Sequence, residues 1–191
     1  MKNKVLTILL CCILLATMFI VTGCGEKSDN NGNGGEQQSQ SKGKYDVFGC
    51  IEKLDATMTL EQVNEVIGFE GTLKSETDSY KVYDWDLTDK TSISVQFHTK
   101  SNTSTISANY PNEMVTEKAD FSKWDEIKSK LNKREDLTYD EFVKLVGGVQ
   151  GKMDKKTSTS TTYKWLNDKG GYLSAYFDVK TNKCTMATGR F

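Results

Sequence analysis

Apolar residues recur with a helical period in two separate stretches of the chain. Spacings of i, i+3, i+4 and i+7 place such residues in one stripe along a helix. The pattern occurs at Val47, Cys50, Ile51 and Leu54, and a close variant occurs at Phe121, Trp124, Ile127 and Leu131. It predicts an amphipathic helix in each stretch.

A second, shorter helix is predicted after each of these stripes. A capping box satisfies two backbone amides at a helix start, and a glycine suits the left-handed position at a helix end. These signals occur at Thr59, Gln62 and Gly68 and again at Thr138, Glu141 and Gly147. The sequence therefore predicts two pairs of helices.

Alternating apolar and polar residues follow each helix pair, which is typical of strands. The clearest predicted strands are 82–87, 92–98, 105–110, 162–166, 172–179 and 184–188. The polar stretches 71–79 and 151–161 are weaker strand candidates. Helices followed by antiparallel strands, twice in succession, indicate an α+β fold.

The alternation assigns the strand residues to two faces. The face predicted to pack on the helices holds Tyr83, Trp85, Ile93, Val95, Phe97, Tyr163, Trp165, Leu173, Ala175 and Phe177. The opposite face holds Asp84, Asp86, Ser94, Gln96, His98, Lys164, Tyr172, Ser174 and Tyr176. A bare polar face of an antiparallel sheet is either solvated or covered by a partner.

Several of these segments occur twice along the chain, in the same order and at a nearly constant offset. Tyr83-Asp84-Trp85 matches Tyr163-Lys164-Trp165, and the strand 93–97 matches 173–177. The two capping boxes precede these segments in the same way. An internal repeat of this kind predicts two tandem units, repeat 1 at 45–113 and repeat 2 at 114–191.

The segment Thr57-Met58-Thr59-x-x-Gln62-Val63, followed by Ile67-Gly68, is similar to a helix motif of the β-lactamase inhibitory protein family. Small outer-membrane assembly lipoproteins share a version of this motif. The resemblance implies two helix–helix–antiparallel-sheet repeats forming one continuous sheet, with helices on one face and a concave protein-binding surface on the other. It also implies that Asp89, in a turn of the first repeat, faces the partner. The predicted partner-binding residues are Asp84, Asp89, Gln96, Lys164, Tyr172 and Tyr176.

Two departures from that family affect the predicted site. Family members carry a disulfide in each repeat, whereas each repeat here has one cysteine, Cys50 or Cys184. These two thiols are either buried and reduced or joined to each other. The family's binding face is rich in aromatic residues, but Ser94, Gln96 and Ser174 stand on this one. Tyr172 and Tyr176 are therefore the predicted anchors.

The N-terminal residues predict where the protein is located. Residues 1–23 combine Lys2 and Lys4 with an apolar run and resemble a bacterial lipoprotein signal peptide that ends before Cys24. Lipidated Cys24 would anchor the protein at the extracytoplasmic face of the cell membrane, and an uncleaved membrane anchor is the alternative. Residues 25–44 are polar and glycine-rich, which is typical of a flexible tether.

Charge and residue usage limit the function classes. A formal net charge of −1 without a Lys/Arg cluster argues against nucleic-acid binding. Cysteine and histidine do not occur at metal-ligand spacings, so the sequence predicts neither a metal nor a cofactor. A non-enzymatic protein-binding module is the main hypothesis. The alternative is an envelope hydrolase or a small-ligand-binding lipoprotein that uses Asp84, Asp86 and His98.

Overall fold

The computed structural model describes residues 45–191, which form four helices and eight strands. Their order is α1 (Val47–Lys53), α2 (Leu60–Ile67), β1 (Thr72–Glu76), β2 (Tyr80–Asp86), β3 (Ser92–His98), β4 (Thr103–Asn109), α3 (Trp124–Asn132), α4 (Tyr139–Leu145), β5 (Lys152–Lys156), β6 (Ser160–Leu166), β7 (Tyr172–Asp178) and β8 (Cys184–Arg190). A short 3₁₀ helix, Asn112–Met114, lies between β4 and α3. The predicted signal peptide 1–23, the predicted lipidation site Cys24 and the tether 25–44 lie outside the described residues.

Both predicted capping boxes are present at the starts of α2 and α4. The Thr59 N–H donates to Gln62 at 2.9 Å, and the Thr138 N–H donates to Glu141 at the same distance. Gly68 ends α2 in the left-handed conformation, as predicted. Helix α4 ends at Leu145 with Val146 as its C-cap, and Gly147 follows in the predicted left-handed conformation, with a φ of +84°.

The other predicted boundaries need small corrections. Helix α3 begins at Trp124, so Phe121 precedes it instead of opening it. The weak candidate 151–161 contains β5, a turn and the start of β6. The turn forms because the Thr157 hydroxyl accepts hydrogen bonds from the N–H groups of Thr159 and Ser160, at 3.3 and 3.0 Å. Such side-chain bonds compete with strand pairing.

The eight strands form one antiparallel sheet in which each strand pairs with its neighbour in sequence. The α+β class and the single antiparallel sheet are therefore confirmed. Irregular register occurs in β1 between Leu73 and Ser75 and in β5 between Met153 and Lys155. These bulges interrupt the alternation that sequence reading relies on.

Two hydrophobic clusters lie between the helices and the sheet. The first cluster joins α1 and α2 to β2, β3 and β4 through residues including Ile51, Val63, Trp85, Val95 and Ile106. The second joins α3 and α4 to β6, β7 and β8 through residues including Ile127, Phe142, Trp165, Phe177 and Cys184. Cys50 and Cys184 belong to different clusters and share no disulfide.

Both clusters lie on the same face of the sheet. Pairing across neighbouring strands connects Ile106 to Lys156, Lys156 to Thr161, and Thr161 to Phe177. Residues directly opposite each other in a ladder point to the same side. Ile106 and Phe177 belong to the first and the second cluster respectively, so the helices of both halves pack against one face.

Strand β5 joins the first half (residues 45–113) to the second half (residues 114–191). The β4–β5 ladder contains only the pairs Ile106–Lys156 and Ser107–Lys155. Lys156 strengthens the junction, because its Nζ donates to the Leu54 carbonyl oxygen at the end of α1 over 2.7 Å. The two halves are thus held together by side chains as well as by backbone bonds.

Several contacts of the first half recur at the corresponding positions of the second. The indole N–H of Trp85 donates to the Phe69 carbonyl at 3.1 Å, and that of Trp165 donates to the Val149 carbonyl at 2.8 Å. The turn bonds Thr77 N to Tyr80 O and Thr157 N to Ser160 O correspond in the same way. The two halves therefore share tertiary contacts as well as element order.

Buried tyrosine and cysteine side chains make this fold sensitive to alkali. Burial raises the pKa of Tyr139 to about 12 and of Cys184 from 9.0 to about 11, and it also raises the pKa of Tyr110 and Tyr163. These groups ionise at lower pH in the unfolded chain, so their contribution to stability is complete below pH ~9 and declines above it.

We expect the urea concentration at the unfolding midpoint to fall steadily from pH 9 to pH 11. A Tyr139→Phe variant removes one of these titrations and should show a shallower decline, whereas an unchanged slope would contradict this assignment.

No helix within residues 45–191 is long and apolar enough to span a membrane.

Candidate functional site

The sheet face opposite the helices is the candidate functional surface of the described domain. We call it the outer face. One row of directly paired residues crosses all eight strands on this face: Thr72, Asp84, Ser94, Ser107, Lys155, Thr162, Tyr176 and Met186. Strands are spaced about 4.8 Å apart, so the row is roughly 34 Å long. No helix of either cluster packs on this side.

Five of the six predicted partner-binding residues lie on the outer face. Asp84, Gln96 and Tyr176 follow from the register pairs Asp84–Ser94, Gln96–Thr105 and Thr162–Tyr176. Lys164 pairs with Ser174, and Tyr172 pairs with Arg190, on the same side. The sixth residue, Asp89, is exposed in the turn between β2 and β3. The structure therefore brings residues from both halves onto one surface.

The two tyrosines of β7 sit where apolar surface is accessible. Tyr172 is 41% exposed, and Tyr176 is half-buried beside Met186, which is 48% exposed. The tyrosines are four positions apart in a strand, or about 13 Å. Partly exposed tyrosine beside an apolar side chain is a typical interface anchor, because its ring buries area and its hydroxyl keeps a polar contact.

Charge is distributed unevenly over the outer face. The acidic side chains Asp84 and Asp86 lie on β2, whereas Lys155 lies on β5 and Lys164 on β6. The intervening β3 and β4 present uncharged Ser, Thr, Gln and Asn side chains together with His98 on this face. A partner covering the whole surface would need basic groups over the first half and acidic groups over the second.

Lys164 is held more firmly than the strand pattern predicts. Its Nζ donates to the Asn112 side-chain oxygen at 2.9 Å and lies 5.5 Å from the centre of the Tyr110 ring. Both contacts come from the segment that connects the halves. Lys164 therefore offers a positioned charge at the edge of the outer face, which costs less side-chain entropy on binding than a free lysine.

The three residues of the alternative hydrolase hypothesis do not converge. Asp84 is opposite Ser94 and Asp86 is opposite Ser92, whereas His98 lies at the far end of β3. The four-residue separation from Ser94 to His98 corresponds to about 13 Å along the strand. His98 Nε2 lies 3.4 Å from the Thr105 hydroxyl oxygen on the neighbouring strand. A proton relay between these carboxylates and His98 has no geometric basis here.

One outward position of the second half is buried. Leu166 shares its side of the sheet with Tyr172 by register, yet it is only 4% exposed. The chain connecting the halves runs beside it, since the Ala119 N–H donates to the Leu166 carbonyl at 2.8 Å. The exposed part of the face in the second half is therefore smaller at this end.

Sequence reading did not assign several second-half residues to the outer face, among them Lys155, Met186, Arg190 and the buried Thr162. They lie on β5, on β6, or on the irregular strand β8. The sequence signal that could have identified them was the alternation of β6 and β7. A residue that pairs with Tyr172 or Tyr176 must lie on the same face of the sheet as that tyrosine. Finding them required the strand register, which the bulges of β5 and β8 shift.

The described residues contain no group of three or more His, Cys, Asp or Glu side chains placed to hold a metal ion. Comparison of the chain with protein-family models, with curated proteins and with solved structures finds no match.

Proposed function

We propose that this chain is a lipid-anchored, extracytoplasmic module that binds another protein through the outer face. The observation that carries the proposal is the shared register of Asp84, Gln96, Lys164, Tyr172 and Tyr176 on one uncovered surface. The face measures roughly 34 Å by 20 Å, or about 700 Å². A standard protein interface buries about 800 Å² of each partner, so the surface suits a folded protein.

The proposed origin of this surface is a tandem repeat resembling the β-lactamase inhibitory proteins. Support comes from the repeated element order and from the contacts that recur at corresponding positions of the two halves, such as those of Trp85 and Trp165. Two copies side by side double the width of a sheet. That width is what a protein-binding face requires.

The proposed anchor rests on the sequence around Cys24. A basic start, an apolar run and a cysteine at its polar end support lipidation and export. The polar residues 25–44 would span roughly 25 Å as a flexible chain. The outer face would then reach partners close to the extracytoplasmic side of the membrane.

The tyrosines of β7 provide the test. Full-length protein is used to capture partners from native envelope extract, and the affinity for the captured protein is then measured with purified components. We expect Tyr172→Ala with Tyr176→Ala to weaken the complex by about 2 kcal/mol or more, a factor of roughly 30, if these rings are anchors.

Leu73→Ala is the matched control, because Leu73 is also an exposed apolar strand residue, 46% exposed, but pairs with helix-side Tyr83. It should leave affinity unchanged. Equal affinity for the wild type and the tyrosine variant would contradict binding through this face. Equal loss in the Leu73 and tyrosine variants would point to a general effect on the fold.

A further inference from the structure

The outer edge of β8 is the counterpart of an edge that is covered in the first half. Strands β4 and β8 hold equivalent places, because Ser104 N donates to Ala56 O and Cys184 N donates to Leu137 O, both at 2.7 Å. Strand β5 covers β4, whereas β8 is the last strand of the sheet. The cover on β4 is therefore a guide to what the edge of β8 accepts.

The first feature of that cover is strand pairing. Ile106 and Ser107 of β4 pair with Lys156 and Lys155 of β5. The position in β8 that corresponds to Ile106 is Ala187, because Ile106 pairs with Val95 and Ala187 pairs with Ala175, the counterpart of Val95 in the second half. From Cys184 to Gly189 the strand carries no charge that would deter an added strand.

The second feature is a lysine over an aromatic pair. Tyr110 packs edge-on against Phe48 with ring centres 4.7 Å apart, and Lys152 Nζ lies 5.3 Å from the Phe48 ring. In the second half Phe191 packs edge-on against Trp124 at 5.7 Å and is 58% exposed. Lys128 Nζ already lies 5.8 Å from the centre of the Trp124 ring, so the ring of this pair that is open to a partner lysine is that of Phe191.

The third feature is a lysine beside a carboxylate. Lys156 Nζ bonds the Leu54 carbonyl at 2.7 Å, and its charge adds to the hydrogen bonds from Thr57 that lower the pKa of Asp55. Ala56 and Leu137 accept the equivalent hydrogen bonds from β4 and β8, and they are preceded by Asp55 and Asp136 respectively. Asp136 is therefore the counterpart of Asp55 in the second half. The Asp136 side chain pairs with Lys183 at 2.6 Å and remains 71% exposed.

The β1 edge of a second copy does not supply the matching strand. In β1, which is one of the two edge strands of the sheet, Glu76 holds the place that Lys156 holds in β5. If β1 met β8 as β5 meets β4, Glu76 would face Asp136. Like charges at that distance repel, whereas a strand with a cation at this place fits.

We propose that the edge of β8, with Trp124 and Phe191 beside it and Asp136 at its start, binds an extended, lysine-containing segment of a partner protein as an added antiparallel strand. The segment would place one lysine over the aromatic pair and another at Asp136. Main-chain bonds supply affinity in such strand addition, and the flanking pockets supply specificity. This surface is separate from the outer face, so the proposal does not depend on the proposed function.

The probe for the experiment is a fluorescent synthetic peptide with the sequence of residues 151–160, the segment that covers β4. Its binding to the full chain in mild detergent is measured by fluorescence anisotropy. We expect saturable binding that weakens about tenfold or more when the lysine at position 156 of the peptide is glutamate. The Asp136→Lys variant of the protein should weaken the original peptide similarly and restore binding of the glutamate peptide.

Two controls separate strand addition from charge attraction. A peptide with the same side chains but N-methylated backbone amides should fail to bind, and Lys74→Glu, a charge change at the other edge, should have no effect. The proposal is overturned if the original peptide does not bind, if the N-methylated peptide binds equally, or if Asp136→Lys changes nothing. It is also overturned if sedimentation shows self-association that excludes the peptide, which would assign the edge to a second copy.

Discussion

Trp165→Ala is expected to lower the free energy of unfolding by about 3–5 kcal/mol, which is the usual cost of removing a buried large aromatic side chain. Trp165 is 1% exposed and packs against Phe142 with ring centres 5.0 Å apart. Its indole N–H also donates to the Val149 carbonyl at 2.8 Å. The substitution would leave a cavity and remove the hydrogen-bond donor of that carbonyl.

The measurement is urea unfolding followed by circular dichroism. Native domains are typically stable by only about 5–15 kcal/mol, so the variant should lose about a fifth or more of its stability. Trp124→Ala is the matched control, because Trp124 is only partly buried and packs at the margin of the second cluster, so its removal should cost less. Similar losses in the two variants, or a loss below about 1 kcal/mol at Trp165, would contradict the central place of this indole in the second cluster.

Gly151→Ala is expected to cost about 1–3 kcal/mol, because the added methyl group has no room. A Cβ at this position would lie 2.6 Å from Trp165 Cζ2 and 2.8 Å from Tyr163 Cβ. The absence of a side chain lets the backbone approach the indole. It also allows the Gly151 N–H to donate to the Tyr139 hydroxyl at 3.1 Å. The same reasoning applies to Gly71, whose Cβ would lie 2.5 Å from Trp85 Cε2.

A double-mutant cycle distinguishes this clash from backbone strain. Trp165→Phe removes part of the ring, so the cost of Gly151→Ala should be smaller in that background. Gly148→Ala provides the contrast, since Gly148 has a φ of +82° and no atom within 4 Å of an added Cβ. Its cost should be about 1–2 kcal/mol from the left-handed conformation alone and should not change with Trp165→Phe. Additive costs for Gly151→Ala and Trp165→Phe would contradict the close approach.

Local sequence signals predicted most of the elements in this chain because they act between near neighbours. The threonines at 59 and 138 bond residues three positions later, and the alternation of β3 and β7 reflects the pleat of a single strand. The inward aromatic residues Trp85 and Trp165 and the outward residues Asp84 and Tyr176 could therefore be assigned before any tertiary contact was known.

Residues that depend on a bulge or on a distant segment were less predictable. The β5 and β6 boundaries moved because a threonine hydroxyl organises the turn at 157–160. Leu166 is buried and Lys164 is tethered because the connecting chain at 112–119 reaches both. None of these contacts produces a periodic pattern of apolar and polar residues in the sequence.

The sequence by itself determined the helix caps, the strand faces and the repeated order of elements, since each is decided within a few residues. Only the tertiary structure decided that β5 joins β4, through the two pairs at Ile106 and Ser107. That junction puts both helix pairs on one face, aligns Asp84 with Tyr176 across the outer face, and leaves β8 as an edge. Pairing between positions so far apart in the chain is selected by side-chain packing and loop closure in the whole domain, which a local pattern does not contain.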